Sequence, residues 1–229
     1  MTLPLPDTVL RHVQVLRLKV GDTLTLFNGH GGEYPATLTL LEKRAATVTL
    51  GDFADVSRES RLEIGLVQAV ASGEKMDFIL QKGVELGISA FQPVLSERSV
   101  VRLSGERAEK RIARWQEIVI SACEQSGRNL VPTVAPLLDY SDWLKTPPPD
   151  ATRLILSPQG STRLASLAAA PSKVWLMVGP EGGLSDAEEA AAIAAGWQPL
   201  KLGERILRTE TAALAAVAAL QTVWGDYAG

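Results

Sequence analysis

Three short segments near the start of the chain alternate polar and apolar residues: Thr23 to Phe27, Thr37 to Leu40 and Thr47 to Leu50. A period of two marks a strand with one buried face. Asn28-Gly29, with Gly31-Gly32 close behind, supplies residues that tolerate the positive φ of tight hairpins. Residues 1–61 therefore predict a β unit, a small barrel. Past Leu62 the pattern changes. Leu62 to Val70 is a mostly apolar strand, and Lys75 to Leu86 places Met76, Ile79, Leu80 and Val84 on one helical face before a stop at Gly87. Phe91 to Leu95, Val131 to Ala135, Arg153 to Leu156 and Val174 to Val178 read as strands, and Lys201 to Gly203 as a strand end. Between them, Glu106 to Gln125 is a long helix with Ile112, Trp115, Val119 and Ala122 in one stripe. Ser185 and Glu188 form a capping box that opens a helix ending at Gly196, and Thr209 to Trp224 is a final helix. Pro147-Pro148-Pro149 must be a loop. Alternating strands and helices over residues 62–229 imply an α/β domain with a mainly parallel sheet.

Composition narrows the class. Of 229 residues, 46% are hydrophobic and 21% charged, which excludes a disordered chain. Cys123 stands alone, so no intrachain disulfide forms. One thiol with His12 and His30 does not make a zinc site of the usual ligand count, and no metal is expected. Met1 to Arg17 contains no signal-peptide core, and the longest strongly apolar stretch, Ala212 to Leu220, falls far short of the roughly 20 residues of a membrane span. A soluble, cytoplasmic protein with no membrane partner is the expectation. The net charge of −3 excludes a bulk polycation, so nucleic-acid binding must rest on local patches. Residues 11–50 carry five basic (Arg11, Arg17, Lys19, Lys43, Arg44) against three acidic residues, and residues 97–128 seven against five.

The sharpest motif is Gly179-Pro180-Glu181-Gly182-Gly183-Leu184, between a buried strand and a helix start. Glycines there let backbone groups approach a ligand, and strand ends of open α/β sheets are where ligands bind. A tight strand-to-helix turn accounts for the same residues. The spacing is neither that of a dinucleotide fold nor that of a phosphate loop. A second motif, Leu202-Gly203-Glu204-Arg205-Ile206-Leu207-Arg208-Thr209-Glu210-Thr211-Ala212, again follows a strand and precedes a helix. Two such loops point to one site, although a solvated helix cap with local ion pairs has the same look. Glu124-Gln125-Ser126-Gly127-Arg128 ends the long helix, where Gly127 suits a cap, and Ser96-Glu97-Arg98-Ser99 is a polar strand end.

Taken in order, these motifs resemble the ribosomal RNA small subunit methyltransferase E family of SPOUT-class enzymes. His12-Val13 through Gly21-Asp22 resembles that family's PUA-like barrel, and Lys75-Met76-Asp77 with Gln81-Lys82 and Glu85-Leu86-Gly87 resembles its first catalytic-domain helix. The family usually opens with a basic strand containing Pro-Arg-Phe, which is missing before Thr2, so an incomplete first barrel strand is expected.

The resemblance implies an α/β domain with a C-terminal trefoil knot and methylation of N3 of a uridine in 16S rRNA, with S-adenosylmethionine bound in the knot. By position, the cofactor pocket falls to Leu156, Ser157 and Pro158, to Gly179, Pro180, Glu181, Gly182 and Gly183, and to Leu202, Gly203, Arg205, Ile206, Leu207 and Thr211. RNA contacts fall to Arg11, Arg17, Lys19 and Arg98, and a homodimer is implied, with Leu214, Val217, Leu220 and Val223 of the last helix as its candidate face. Internal core packing predicts the same stripe.

Uracil N3 carries a proton and becomes a good nucleophile when that proton leaves. Arg208 is the candidate for stabilising the uracil oxyanion and Glu210 for taking the proton or orienting Arg208, with Arg128 arriving from a partner subunit. A helix N-terminal carboxylate is an equally good reading of Glu210. Alternatives are a SPOUT enzyme acting on tRNA and a non-catalytic RNA-binding ribosome-assembly module. A nucleotide-dependent dehydrogenase lacks the phosphate-binding spacing.

Overall fold

The computed structural model describes residues 1–167 and 170–227. The chain divides into two compact units, one of residues 1–58 with 127–130 and one of residues 59–126 with 131–229.

The first unit holds β1 (Thr2–Pro4), α1 (Asp7–Val15), β2 (Thr23–Leu26), β3 (Tyr34–Leu41) and β4 (Ala46–Leu50). Its strands pair antiparallel in the order β1-β4-β3-β2, with a register shift between Leu38 and Leu40. The inward residues Ala36, Leu38, Ala46 and Val48 pack with Leu10 and Val13 of α1. Residues 2–4 form a strand of three residues, paired with Thr47 to Thr49 of β4. One expectation changes here. The segment read as β also contains a helix. His12-Val13-Gln14-Val15 alternates like a strand, but Pro6 at the N-cap, Asp7 in the first turn and burial of Leu10 and Val13 three apart make it helical. The helix ends with Arg17 at φ 56°, the left-handed position that glycine usually takes, and Leu18 N–H donates to Val13 O.

Residues 127–130 join this unit through backbone contacts and one side-chain hydrogen bond. Leu130 bridges Gly29 and His30, Gly31 N–H donates to Asn129 O at 3.1 Å, and Asn129 Nδ2 donates to Val56 O at 2.6 Å. The motif at the end of the long helix is therefore split between units.

The second unit holds β5 (Glu63–Ala69), α2 (Glu74–Glu85), β6 (Ile88–Leu95), α3 (Gly105–Ser126), β7 (Thr133–Val134), β8 (Leu138–Asp139), α4 (Tyr140–Trp143), β9 (Thr152–Leu156), β10 (Lys173–Val178), α5 (Asp186–Ala194), β11 (Gln198–Leu200) and α6 (Thr209–Trp224). The strands pair in the order β11-β9-β10-β5-β6-β7, with β8 also on β6, and every pairing is parallel. Residues 64–69 of β5, flanked by β10 and β6, are buried on both faces, as a parallel strand's apolar run requires. One core cluster gathers Val67, Val94, Ile155, Met177, Tyr140 and Trp197. Of the stripe on α6, Val217 and Leu220 are fully buried in this chain's own core, while Val223 is 52% exposed. Internal packing thus takes half of the face expected for a dimer. Among the described residues no helix is long and apolar enough to cross a membrane.

Candidate functional site

Three loops at the carboxyl ends of β9, β10 and β11 frame one cavity of about 450 Å³. That volume suits a ligand of drug-like size. Its walls are Leu156 to Gln159, Val178 to Leu184 and Leu200 to Leu207 without Glu204, with Arg98, Asp186, Glu189, Thr209 and Ala212 completing them. The first and third loops are stitched together: Ser157 N–H donates to Leu200 O, Thr162 N–H to Pro199 O and Lys201 N–H to Thr162 O, each at 3.0 Å.

The glycine loop has a fixed shape. Gly183 adopts φ 70°, which an L side chain rarely takes. A Cβ at Gly179 would lie 2.9 Å from Leu184 N, so only glycine lets the loop fold back on itself there. Ser185 then caps α5 in a reciprocal box: Ser185 N–H donates to Glu188 Oε2 at 2.9 Å and Glu188 N–H to Ser185 Oγ at 3.3 Å. Glu188 Oε1 accepts from Glu97 N–H at 2.7 Å, and Glu188 O accepts from the Tyr140 hydroxyl at 2.9 Å. Burial, reinforced by the charges of Glu188 and Glu189, raises the Tyr140 phenol above its ordinary range, so it stays a neutral donor.

Polar side chains outside the motif hold the same loop. Glu181 Oε1 accepts from Ser72 N–H and from Lys75 Nζ, each at 2.9 Å, and from the Ser72 hydroxyl. Burial pushes the Glu181 carboxyl up, but the hydrogen bonds from Ser72 and Lys75 outweigh it and hold the pKa at about 2. Glu181 lines the cavity, yet this carboxylate oxygen is spent on the loop between β5 and α2. Arg98, expected among RNA contacts, also lines the cavity and donates through Nη1 to the carbonyls of Gly182 and Leu184 at 3.1 Å each.

Every residue assigned to the cofactor pocket lines this cavity except Thr211, which lies in the first turn of α6 and is exposed. Arg208 and Glu210 alternate with Thr209 at the start of α6: Arg208 is exposed at the N-cap, and Glu210 Oε2 is buried without a hydrogen-bond partner. Neither lines the cavity. Arg128 is 5% exposed within the first unit and is not part of the cavity. Its position just after the helix cap puts it among the residues that join that unit. Arg11, Arg17 and Lys19 are exposed on α1 and the turn after it.

Sequence reasoning missed Gln68 and the Ser72-Lys75 pair, and it gave Thr209 no task of its own within the second motif. A glutamine in an otherwise apolar central strand was the available signal for Gln68.

Residues 58–221 match the family model of an RNA methyltransferase domain, and residues 5–51 that of an RNA methyltransferase PUA domain. The chain is 31% identical to the ribosomal RNA small subunit methyltransferase E of Buchnera aphidicola, over 93% of this chain and 85% of that one. It is 35% identical to the protein of the same name from Synechocystis, over 97% and 73%. The crystal structure of the Neisseria gonorrhoeae ribosomal RNA small subunit methyltransferase E bound to S-adenosyl methionine superposes with a TM-score of 0.94. That match has 52% identity and covers 99% of this chain and 94% of that one. The fold is accordingly a mainly parallel, SPOUT-like α/β domain with an N-terminal PUA domain. By the match over both units and the agreement of fold and site loops, the chain belongs to the ribosomal RNA small subunit methyltransferase E family.

Proposed function

We propose that this chain is an S-adenosylmethionine-dependent methyltransferase that methylates N3 of a uridine in 16S rRNA of the small ribosomal subunit. One observation carries the reading: the loops singled out in the sequence converge on one cavity at the carboxyl end of a parallel sheet, and the next residues of the third loop open α6 with an arginine and a glutamate.

The cavity suits the cofactor. Leu156, Val178, Leu200, Leu202 and Leu207 give it apolar walls, and the glycine loop offers backbone groups that no Cβ obstructs. Asp186 and Glu189 bring negative charge, and Arg98 and Arg205 positive charge, to a ligand that carries both. When bound, the cofactor supplies an electrophilic methyl group on a sulfonium.

The chain's own residues then have three tasks. The fixed loops hold the methyl donor in one orientation, which converts an encounter into an aligned displacement. Arg208, exposed beside the lining residues Leu207 and Thr209, stabilises the charge that develops on the uracil oxygens. Glu210 accepts the N3 proton or orients Arg208, which it follows by two residues in the first turn of α6. Burial of Arg128 supports a packing role for it in its own chain.

Arg11, Arg17 and Lys19, all exposed, contact RNA phosphates. Such a substrate places the protein in the cytoplasm. A homodimer uses the end of α6, where Val223 and Tyr227 stay exposed. A monomer in sedimentation at working concentration overturns the dimer. Calorimetric titration with S-adenosylmethionine separates the proposed enzyme, which binds it, from a non-catalytic RNA-binding module, which does not.

A further inference from the structure

Gln68 lies near the end of the central strand, among buried apolar neighbours, and is itself 1% exposed. Its Nε2 lies 2.9 Å from Ala69 O, 3.1 Å from Thr209 Oγ1 and 3.3 Å from Gly179 O. Thr209, the first residue of α6 and 6% exposed, donates its hydroxyl to Gly179 O at 2.6 Å. A hydroxyl has one proton and an amide nitrogen two. The network therefore resolves in one sense: Gln68 donates to Ala69 O and Thr209 Oγ1, and Thr209 donates to Gly179 O. Exchanging the amide's nitrogen and oxygen would set Oε1 against two carbonyl oxygens. Gln68 Oε1 has no hydrogen-bond partner. Burying that oxygen costs free energy, so the gain from the amide's other end must exceed it.

The three residues belong to three parts of the site. Gln68 stands on β5, Gly179 begins the glycine loop, and Thr209 opens the helix that carries Arg208 and Glu210. Gly179 and Thr209 both line the cavity. We infer that Gln68 and Thr209 are positioning residues, a buried relay that fixes the plane of the Gly179 peptide and locks the glycine loop to the start of α6. The inference rests on this cavity being the cofactor site. Backbone recognition of a cofactor depends on where peptide groups point, so an unlatched Gly179 presents its loop in several orientations and binds more weakly. The same latch sets the distance between the loop and Arg208, so its loss lowers turnover as well as affinity.

The test compares Thr209→Val, which keeps the shape and removes the hydroxyl, with Thr209→Ser, which keeps the hydroxyl. Gln68→Met keeps the volume and removes the amide. For each, calorimetry gives the Kd for S-adenosylmethionine, and methyl transfer to small subunits gives kcat and KM. Thr209→Val and Gln68→Met are each expected to raise Kd about tenfold, the effect of one or two neutral hydrogen bonds. Thr209→Ser should stay within about threefold of the parent, because its bonds survive. The double variant Thr209→Val with Gln68→Met should raise Kd by clearly less than the product of the two single effects, since both residues act on the same Gly179 carbonyl. Independent packing losses would add instead. Native Kd in Thr209→Val, or additive effects in the double variant, overturns the relay. If Thr209→Val does not fold, Gln68→Met gives the same reading of Kd, and a native value there overturns it. Failure of the unaltered chain to bind S-adenosylmethionine would instead refute the function on which the relay rests.

Discussion

Replacing Glu181 with glutamine keeps the side chain's shape and one acceptor but removes the charge on which Ser72 and Lys75 converge. The clasp is partly sheltered, with side-chain exposures of 23% for Glu181 and 33% for Lys75. Its carboxyl titrates at about 2 in the folded chain, against an ordinary value of 4.5. A depressed folded pKa stabilises the protein fully above about pH 4.5, and that contribution is lost as the pH falls toward 2. A shift of this size corresponds to about 3 kcal/mol at full value. Solvent screening at the cavity rim reduces it to about 1–2 kcal/mol. Urea unfolding followed by tryptophan fluorescence measures it cleanly, because all five tryptophans lie in the second unit. Glu181→Gln should lose about 1–2 kcal/mol at pH 7 and less than half as much at pH 3. A double-mutant cycle with Lys75→Met should show a coupling of about 1 kcal/mol. Equal stability at pH 7, or a gap that widens as the pH falls, would refute the clasp.

Other substitutions probe other parts of the account. Gly179→Ala puts a Cβ 2.9 Å from Leu184 N and 3.0 Å from Gly183 C, both backbone atoms, and should weaken cofactor binding more than about tenfold by calorimetry. Arg17→Gly relieves a left-handed arginine and should stabilise the first unit by about 0.5–1 kcal/mol in scanning calorimetry, yet lower kcat/KM for small subunits. A stabilised variant with undiminished kcat/KM would remove Arg17 from the RNA surface. Arg208→Ala should lower kcat about 10²- to 10³-fold with cofactor Kd unchanged, and full turnover would sink its assignment.

Much of the second unit is legible in the sequence because its elements are long and end on strong signals. The Ser185-Glu188 box forms as its spacing requires, Gly87 and Gly196 follow α2 and α5 at positive φ, and α6 spans the residues its pattern marks. The helix at Asp7 to Val15 is hidden because it is only nine residues long and its last four, His12-Val13-Gln14-Val15, alternate like a strand. The cavity loops are legible as glycine-rich strand ends. The groups that brace them are not, since Ser72, Lys75 and Gln68 lie more than 100 positions from their partners Glu181, Gly179 and Thr209, and spacing carries no information over that range. Arg98 carries a second role that spacing does not show: its Nη1 braces the glycine loop through the carbonyls of Gly182 and Leu184.

The decisive measurement of activity is nucleoside mass spectrometry of small subunits that lack the modification, incubated with this chain and S-adenosylmethionine. The expected product is N3-methyluridine at one site in 16S rRNA, and none when the cofactor is omitted. No methyl incorporation into 16S rRNA, or incorporation into tRNA instead, would contradict the proposed function.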